Sequence, residues 1–193
     1  MNRGITLGVG AYAIWGVLPI FWKAIESVDS LEILAHRIVW SVVFLAAIIA
    51  LRGSWSQLRT LRAPVIARLL AAGSLLALNW ATYIWAVNNG HIVESSLGYF
   101  INPLLNVLLG VVILRERLGT VQWLAVAIAA IGVAYMTISI GSLPWIALVL
   151  ATSFATYALL KKQMRGVGPI ESLAVEVTLV LLPALIYLTI LGR

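Results

Sequence analysis

The chain has 193 residues, of which 62% are hydrophobic and 10% are charged. Soluble domains average about half apolar and about a quarter charged residues, so this chain lacks the charge needed to cover a water-facing surface. It has no cysteine and two histidines, so we expect no disulfide framework, no metal centre and no cofactor. The net charge of +6 comes from short segments between apolar blocks, and nucleic acid is therefore not an expected partner.

Long apolar blocks follow one another along the whole chain. A bilayer-spanning helix needs about 20 mostly apolar residues, and backbone groups inside lipid must pair within their own segment, so helices are the expected form. The pattern predicts an all-α, polytopic membrane helix bundle with seven spans. Their approximate bounds are 5–24, 31–51, 68–87, 93–114, 121–140, 143–160 and 170–191.

Positive charge is distributed unevenly between the two ends of these spans. Ten of the thirteen Lys and Arg residues lie before the first span or beside the second, fourth and sixth loops, all on one side. The positive-inside rule then places the N-terminus in the cytoplasm. The second loop, about residues 52–67, is the only long one, and Trp55 and Leu58 within it predict a short helix at the membrane surface.

A weak internal match appears when the chain is shifted by 139 residues. Residues 31–35 then align with residues 170–174, and Lys23 aligns with Lys162. The shift crosses five spans, so the second copy would be inverted in the membrane, as in many secondary transporters. The match predicts one five-helix repeat, residues 1–140, and the first two helices of a second, truncated repeat, residues 141–193. Chance similarity and a genuine seven-span protein are the alternatives.

Several short motifs occur in a specific order. Residues 96–104 read SLGYFINPL, residues 114–118 read LRERL, and Gln122-Trp123 and Gly132-Val133 follow. Together they resemble the close of a repeat in the EamA branch of the drug/metabolite transporter superfamily. The stretches AHRIVWS at residues 35–41 and NWATYIWAVN at residues 79–88 are similar to those of its RarD-like members.

The resemblance implies ten helices in two inverted repeats in the bacterial inner membrane. It also implies a permease or exporter of small metabolites or drugs, with amino acids and chloramphenicol among the candidates. The sequence has no ATP-binding motif, so transport would use a gradient or an exchange. A membrane-embedded structural or partner subunit is the alternative, and a membrane enzyme is less favoured. The expected partners are the lipid bilayer and a small-molecule substrate.

Arg37 is the first candidate for a substrate-binding residue. It would lie about 9 Å inside the second helix, at about 1.5 Å per residue. An arginine at such a depth is costly unless it faces a partner or water. We expect it to bind a substrate carboxylate or another electronegative group. The alternatives are snorkelling to the outer interface and an ion pair with Glu26, Asp29 or Glu32.

Two further pairs of candidates have helical spacing. His36 and Trp40 share a face of the second helix and would either stack on a ring-bearing substrate or pack between helices. Asn79 and Tyr83 share a face of the third span and would either line a cavity or bridge helices. Each pair is therefore a candidate for the substrate pathway with a structural alternative.

The fourth span carries a polar stripe formed by Tyr99, Asn102 and Asn106. Pro103 within it removes a backbone donor and can kink the helix, which would free a carbonyl to face a cavity. The stripe is predicted to line a pathway, and helix packing is the alternative.

Glu176 matches Arg37 under the shift of 139 residues. A buried glutamate can carry a proton, or Glu176 could form an ion pair with Arg37 across the pseudo-symmetry. Snorkelling toward the cytoplasm is the third interpretation.

Overall fold

The computed structural model describes residues 3–141, 144–164 and 166–190, and the regular structure within these ranges is entirely helical. The helices are α1 (Arg3–Ala24), α2 (Ser30–Arg52), α3 (Trp55–Arg59), α4 (Ala63–Asn88), α5 (Ile92–Val112), α6 (Thr120–Ile140), α7 (Trp145–Gln163), α8 (Pro169–Leu179) and α9 (Leu181–Ile190). Six of them are long and apolar enough to cross a membrane, and α8 and α9, bent by 40° at their break, pass the same test as a pair, which gives up to seven spans. The predicted all-α polytopic bundle is confirmed.

The helix bounds differ from the predicted ones at a few ends. Helix α4 begins at Ala63, five residues earlier than predicted, because Pro64 occupies a first-turn position, where its missing N–H costs nothing. The predicted short helix of the second loop is present as α3. The predicted ends at Leu143 and Leu191, and the loop charge Arg165, lie outside the described residues.

Helix α2 has a defined start. The Asp29 carboxylate accepts hydrogen bonds from the backbone N–H groups of Leu31, at 2.9 Å, and Glu32, at 3.4 Å, so Asp29 caps the helix. It also accepts a 2.8 Å hydrogen bond from the Tyr187 hydroxyl of α9. The Tyr187 hydroxyl, followed by the Leu31 N–H, holds the pKa of Asp29 below its usual value. This residue therefore joins the end of the chain's last described helix to the start of α2.

Helix α4 lies at the centre of the bundle. It packs against α1, α2, α5, α7 and α8, whereas α2 also contacts α8 and α9, and α5 also contacts α6 and α7. Buried side chains from α1, α2, α4 and α9 form the main core, and buried side chains of α5 and α7 form another. Helices α1 and α6 lie at the periphery with most of their apolar side chains exposed, as expected for surfaces that face lipid.

Two glycines allow helices to approach closely. A Cβ atom on Gly73 of α4 would lie 2.6 Å from the backbone oxygen of Glu176 in α8. A Cβ atom on Gly98 of α5 would lie 3.1 Å from the Leu150 Cβ of α7. Small residues at such contacts let backbones pack directly in a membrane.

The contact between α4 and α8 can be tested with a matched pair of glycine substitutions. Gly73→Ala would push against the Glu176 backbone, and overpacking of this kind costs about 1–3 kcal/mol. Gly132→Ala in α6 would meet nothing within 4 Å and should gain up to about 1 kcal/mol of helix propensity. The free energy of unfolding is measured by adding a denaturing detergent to the protein in micelles of a mild detergent. Equal effects of the two substitutions would contradict the described contact.

Candidate functional site

Arg37 lies between two indole rings. Its guanidinium carbon is 3.8 Å from the centre of the Trp80 ring on α4 and 5.6 Å from that of the Trp22 ring on α1. Both distances fall within the roughly 6 Å over which a cation is attracted to an aromatic face. The side chain is half-buried. The three residues bring α1, α2 and α4 together at one point.

The acidic residues considered as partners of Arg37 are occupied elsewhere or do not reach it. Glu26 pairs with Lys23, and Asp29 caps α2 and binds Tyr187. Within the described part of the chain, no ion pair involves Arg37. The positive charge inside the second span is therefore balanced by aromatic faces and not by a carboxylate.

Two tyrosines extend this group of side chains. Tyr83 lies one turn beyond Trp80 on α4, and its ring centre is 6.2 Å from that of Tyr99 on α5, in an edge-to-face arrangement. Through Tyr83 the group therefore extends to α5. We refer to Trp22, Arg37, Trp80, Tyr83 and Tyr99 as the arginine cluster.

The arginine cluster is rich in hydrogen-bond donors. A guanidinium carries five N–H groups and no acceptor, an indole N–H only donates, and a tyrosine hydroxyl can do both. The indole nitrogen of Trp22 is buried with no hydrogen-bond partner. No carboxylate belongs to the cluster, so its chemistry suits a planar or electronegative group that accepts hydrogen bonds.

The sequence pointed to only part of the arginine cluster. Arg37, Tyr83 and Tyr99 were predicted candidates, and the structure brings them together. Trp22 and Trp80 were missed, since Trp80 lies on a different face of its helix from Asn79 and Trp22 resembles an interfacial tryptophan near a span end. A cation–π pairing between spans leaves no local signal in the sequence.

His36 and Trp40 lie on the exposed side of α2. The ring of Trp40 is 6.3 Å from that of Phe44 on the same helix. The described contacts bring neither residue to the arginine cluster, and their role in stacking on a substrate stays a prediction.

Asn79 bridges two helices. Its side-chain nitrogen donates to the Leu150 backbone oxygen at 2.9 Å and to the Ser153 hydroxyl at 3.0 Å, both on α7. In this structure Asn79 thus makes the interhelical contact that was the alternative to a cavity role.

The polar stripe of α5 runs from the arginine cluster toward the opposite end of the bundle. The side-chain nitrogen of Asn106 donates to the Asn102 oxygen at 3.3 Å. Asn106 also lines a cleft of about 200 Å³ between α5 and α7, together with Gly110 and Lys162. Helix α5 continues as one helix through Pro103.

Glu176 forms the centre of a second polar group. It is fully buried on α8 and accepts hydrogen bonds from Lys161 at 2.6 Å, from Tyr157 at 3.2 Å and from Ser172 at 3.2 Å. Lys161 also donates to the Ser172 hydroxyl. We refer to these four residues as the glutamate cluster.

The ion pair between Glu176 and Arg37, one of the three interpretations that the sequence left open, is wrong. Each residue lies seven positions into its helix, but α2 and α8 begin at opposite ends of the bundle because successive spans run in opposite directions. Glu176 therefore meets Lys161 at the end of the neighbouring α7. In the described residues no group of three or more His, Asp or Glu side chains could hold a metal ion.

These features are those of a polytopic membrane helix bundle, and comparison with known proteins identifies its family. The model of the EamA-like transporter family matches residues 2–138, and the chain belongs to that family. The chain is 48% identical to the protein RarD of Streptomyces exfoliatus over 99% of its own length and 61% of that protein's. The RarD-like character predicted from the sequence is thereby confirmed.

Other relatives give the same class. The chain is 47% identical to an uncharacterized transporter of Pseudomonas aeruginosa, over 97% of this chain and 63% of that one. It is 34% identical to the chloramphenicol-sensitive protein RarD of the same species, over 99% of this chain and 66% of that one. The chain thus spans about three-fifths of the length of the curated relatives it matches. No solved structure matches it. The matched family is one of membrane transporters.

The bridging role of Asn79 generates a prediction. Asn79→Ala should lower the free energy of unfolding by about 1 kcal/mol, the scale of interhelical hydrogen bonds in membranes. Ser153→Ala should have a smaller effect, and the double substitution should cost less than the sum of the two. Asn106→Ala is the control, because the partner of Asn106 lies on its own helix. Strictly additive effects of the two substitutions would contradict a bond between Asn79 and Ser153.

Proposed function

We propose that this chain belongs to a gradient-driven secondary transporter that binds small metabolites or drugs at the arginine cluster. The observation that carries the proposal is Arg37, a cation inside a span that has aromatic neighbours and no carboxylate partner among the described residues. A charged side chain in a membrane is costly, and it usually marks a substrate or ion pathway. The anion that completes the site would be supplied by the substrate.

The shape of the site favours a particular class of substrate. A guanidinium stacked on an indole keeps its edge N–H groups free, and these match a carboxylate with two parallel hydrogen bonds. Aromatic walls on α1, α4 and α5 would contact an apolar or ring-bearing part of the same molecule. An amino acid or another small carboxylate therefore fits better than chloramphenicol, which is uncharged and offers a nitro group in place of a carboxylate.

The polar stripe of α5 supports a route away from this site. Tyr99 belongs to the arginine cluster, and Asn102 and Asn106 continue from it to the cleft beside Lys162. We propose that substrate passes along this face. In the proposed topology the protein lies in the bacterial inner membrane with its N-terminus in the cytoplasm. The arginine cluster then lies in the outer half of the bilayer, and the route runs from it toward the cytoplasmic side.

The proposed repeat is supported by helix bounds and by contacts. Ala24 and Gln163, which end α1 and α7, are 139 residues apart, and the starts of α2 and α8 differ by the same number. On this offset Trp22 corresponds to Lys161 and Arg37 to Glu176. Trp22 contacts Arg37, and Lys161 contacts Glu176. Equivalent positions thus form polar contacts near opposite ends of the bundle, as expected for the start of a second, inverted repeat.

We assign the glutamate cluster to the cytoplasmic half of the transporter. The buried pair of Lys161 and Glu176 joins α7 to α8 there, and Glu176 is the proposed proton carrier. A proton bound to the carboxylate would remove its negative charge and release Lys161, which is partly exposed. Loss of this contact would free α8 to move during transport.

The proposed substrate site predicts a specific effect of Arg37. In cells that express the protein, efflux of labelled amino acids, nucleosides and chloramphenicol is measured with and without Arg37→Ala. We expect faster efflux of at least one carboxylate, with the apparent affinity lowered about thirtyfold in the variant, since a charged hydrogen bond contributes about 2 kcal/mol. Arg37→Lys keeps the charge but loses the planar fork and should be intermediate.

Arg117→Gln is the control for Arg37. It removes one exposed positive charge outside the spans and should leave efflux unchanged. Efflux that survives Arg37→Ala would make Arg37 a structural residue while leaving the transporter in place. No faster efflux of any tested compound, with the protein correctly inserted, would count against an exporter.

The ion pairs of the neighbouring residues Lys161 and Lys162 should contribute differently to the free energy of unfolding. Glu176→Gln breaks the buried pair with Lys161 and should lower the free energy of unfolding by about 3 kcal/mol. Glu116→Gln breaks the exposed pair of Glu116 with Lys162 and should cost less than about 1 kcal/mol. If Glu176 carries a proton, its variant should also lose the pH dependence of transport. An unchanged pH profile would remove that role.

A further inference from the structure

An apolar cleft lies between α2, α3 and α8, and none of its lining residues belongs to either polar cluster. Its volume is about 220 Å³, and its walls include Ile49 of α2, Trp55 and Leu58 of α3, and Ala174 and Thr178 of α8. Pockets for drug-sized ligands have volumes of roughly 300–1,000 Å³. The cleft is therefore suited to a thin apolar chain and not to a compact ring system.

The same end of the bundle carries a concentration of unpaired positive charge. Arg52, Arg59 and Arg62 are exposed, and none of them takes part in an ion pair within the described ranges. The sequence has no Asp or Glu from residue 33 to residue 93. No acidic side chain of α3 or of the flanking loop segments is thus available to neutralise these arginines.

Helical spacing places two of these charges beside the cleft. Arg52 follows Ile49 by three residues on α2, and Arg59 follows Trp55 by four residues on α3. Residues three or four apart occupy the same face of a helix. Each arginine is therefore on the face that also provides an apolar side chain to the cleft wall.

We infer that this cleft and its arginines form a binding site for an anionic phospholipid. One acyl chain would lie in the cleft, against Leu58 and Ala174, and the phosphate would be bound by Arg52 and Arg59. Helix α3 is short and amphipathic, with Trp55 at the level where tryptophan anchors proteins to the interface. Basic pockets between spans on the cytoplasmic side are known to bind anionic headgroups, and the proposed topology places this cleft on that side.

A free phosphate or an acidic peptide would fit the arginines but not the apolar cleft. The cleft lies between two spans, α2 and α8, and an acyl chain of the bilayer matches its apolar walls. Its apolar walls continue directly into the positive charge at the helix ends, and this sequence of apolar and charged surface matches the arrangement of tail and headgroup in a lipid. The inference depends on membrane insertion and on the proposed topology, and it does not require that the proposed substrate site be correct.

The test compares lipid retention by native mass spectrometry. The protein is released from bilayers of phosphatidylglycerol and phosphatidylcholine with the same acyl chains, in equal amounts. We expect preferential retention of one phosphatidylglycerol, reduced about fivefold by Arg59→Gln, because one cationic contact with an anionic lipid is worth about 1 kcal/mol. Arg117→Gln, which removes a charge at the same end of the bundle away from the cleft, should leave retention unchanged. Equal losses of phosphatidylglycerol retention in the two variants would show that the lipid is held by general surface charge, and would overturn the proposed site.

Fluorescence quenching gives a second readout that is independent of charge substitutions. The component due to Trp55 is obtained by difference from Trp55→Phe. Phosphatidylglycerol with brominated acyl chains should quench it more than brominated phosphatidylcholine does, and inorganic phosphate should not reverse the effect. Equal quenching by the two lipids would overturn the headgroup preference. Absence of quenching by either would show that protein covers the cleft, a second copy of the chain included, and would also overturn the inference.

Discussion

An apolar bilayer gives a charged side chain no water to bind, and the interior of this bundle is organised around that constraint. The chain meets it in two ways. Arg37 lies against the faces of Trp22 and Trp80, which stabilise a cation without neutralising it. Glu176 is fully buried and is neutralised by Lys161. The N–H groups of Arg37 therefore stay free to bind a ligand, whereas the carboxylate of Glu176 is used in contacts within the protein.

Helix α4 contacts both the arginine cluster and the glutamate cluster. Gly73 packs on the backbone of Glu176, and Trp80, seven residues later, stacks on Arg37. Residues seven apart lie on one face of a helix, here about 10 Å apart at about 1.5 Å per residue. One face of α4 therefore contacts both clusters, so the proposed substrate site and the proposed proton carrier share a helix.

The sequence predicted the helices because membrane insertion leaves a strong local signal, a block of about 20 apolar residues. It also indicated Arg37 and Glu176, since a charge inside such a block is conspicuous. It did not indicate Trp22 and Trp80 as neighbours of Arg37, and of the three interpretations it left open for Glu176 the ion pair with Arg37 is wrong. Those contacts depend on which spans are adjacent and at which depth their residues meet, and neither is encoded within one helix. Asn79 shows the same limit, because a polar side chain in a span is compatible with both a cavity and an interhelical bond until its neighbour is known.

The glycine contact has a kinetic consequence. Most packed helices interlock through side chains, so one helix has to lift its ridges out of the other's grooves before it can slide. At Gly73 the α4 backbone meets the α8 backbone with no side chain between them. Such a contact resists separation but offers little steric obstruction to a displacement parallel to the helices, the shear type of motion found between packed elements. Gly73 would then allow α8 to slide past α4, and a methyl group at this position would slow the exchange between conformations in addition to lowering the stability of the bundle.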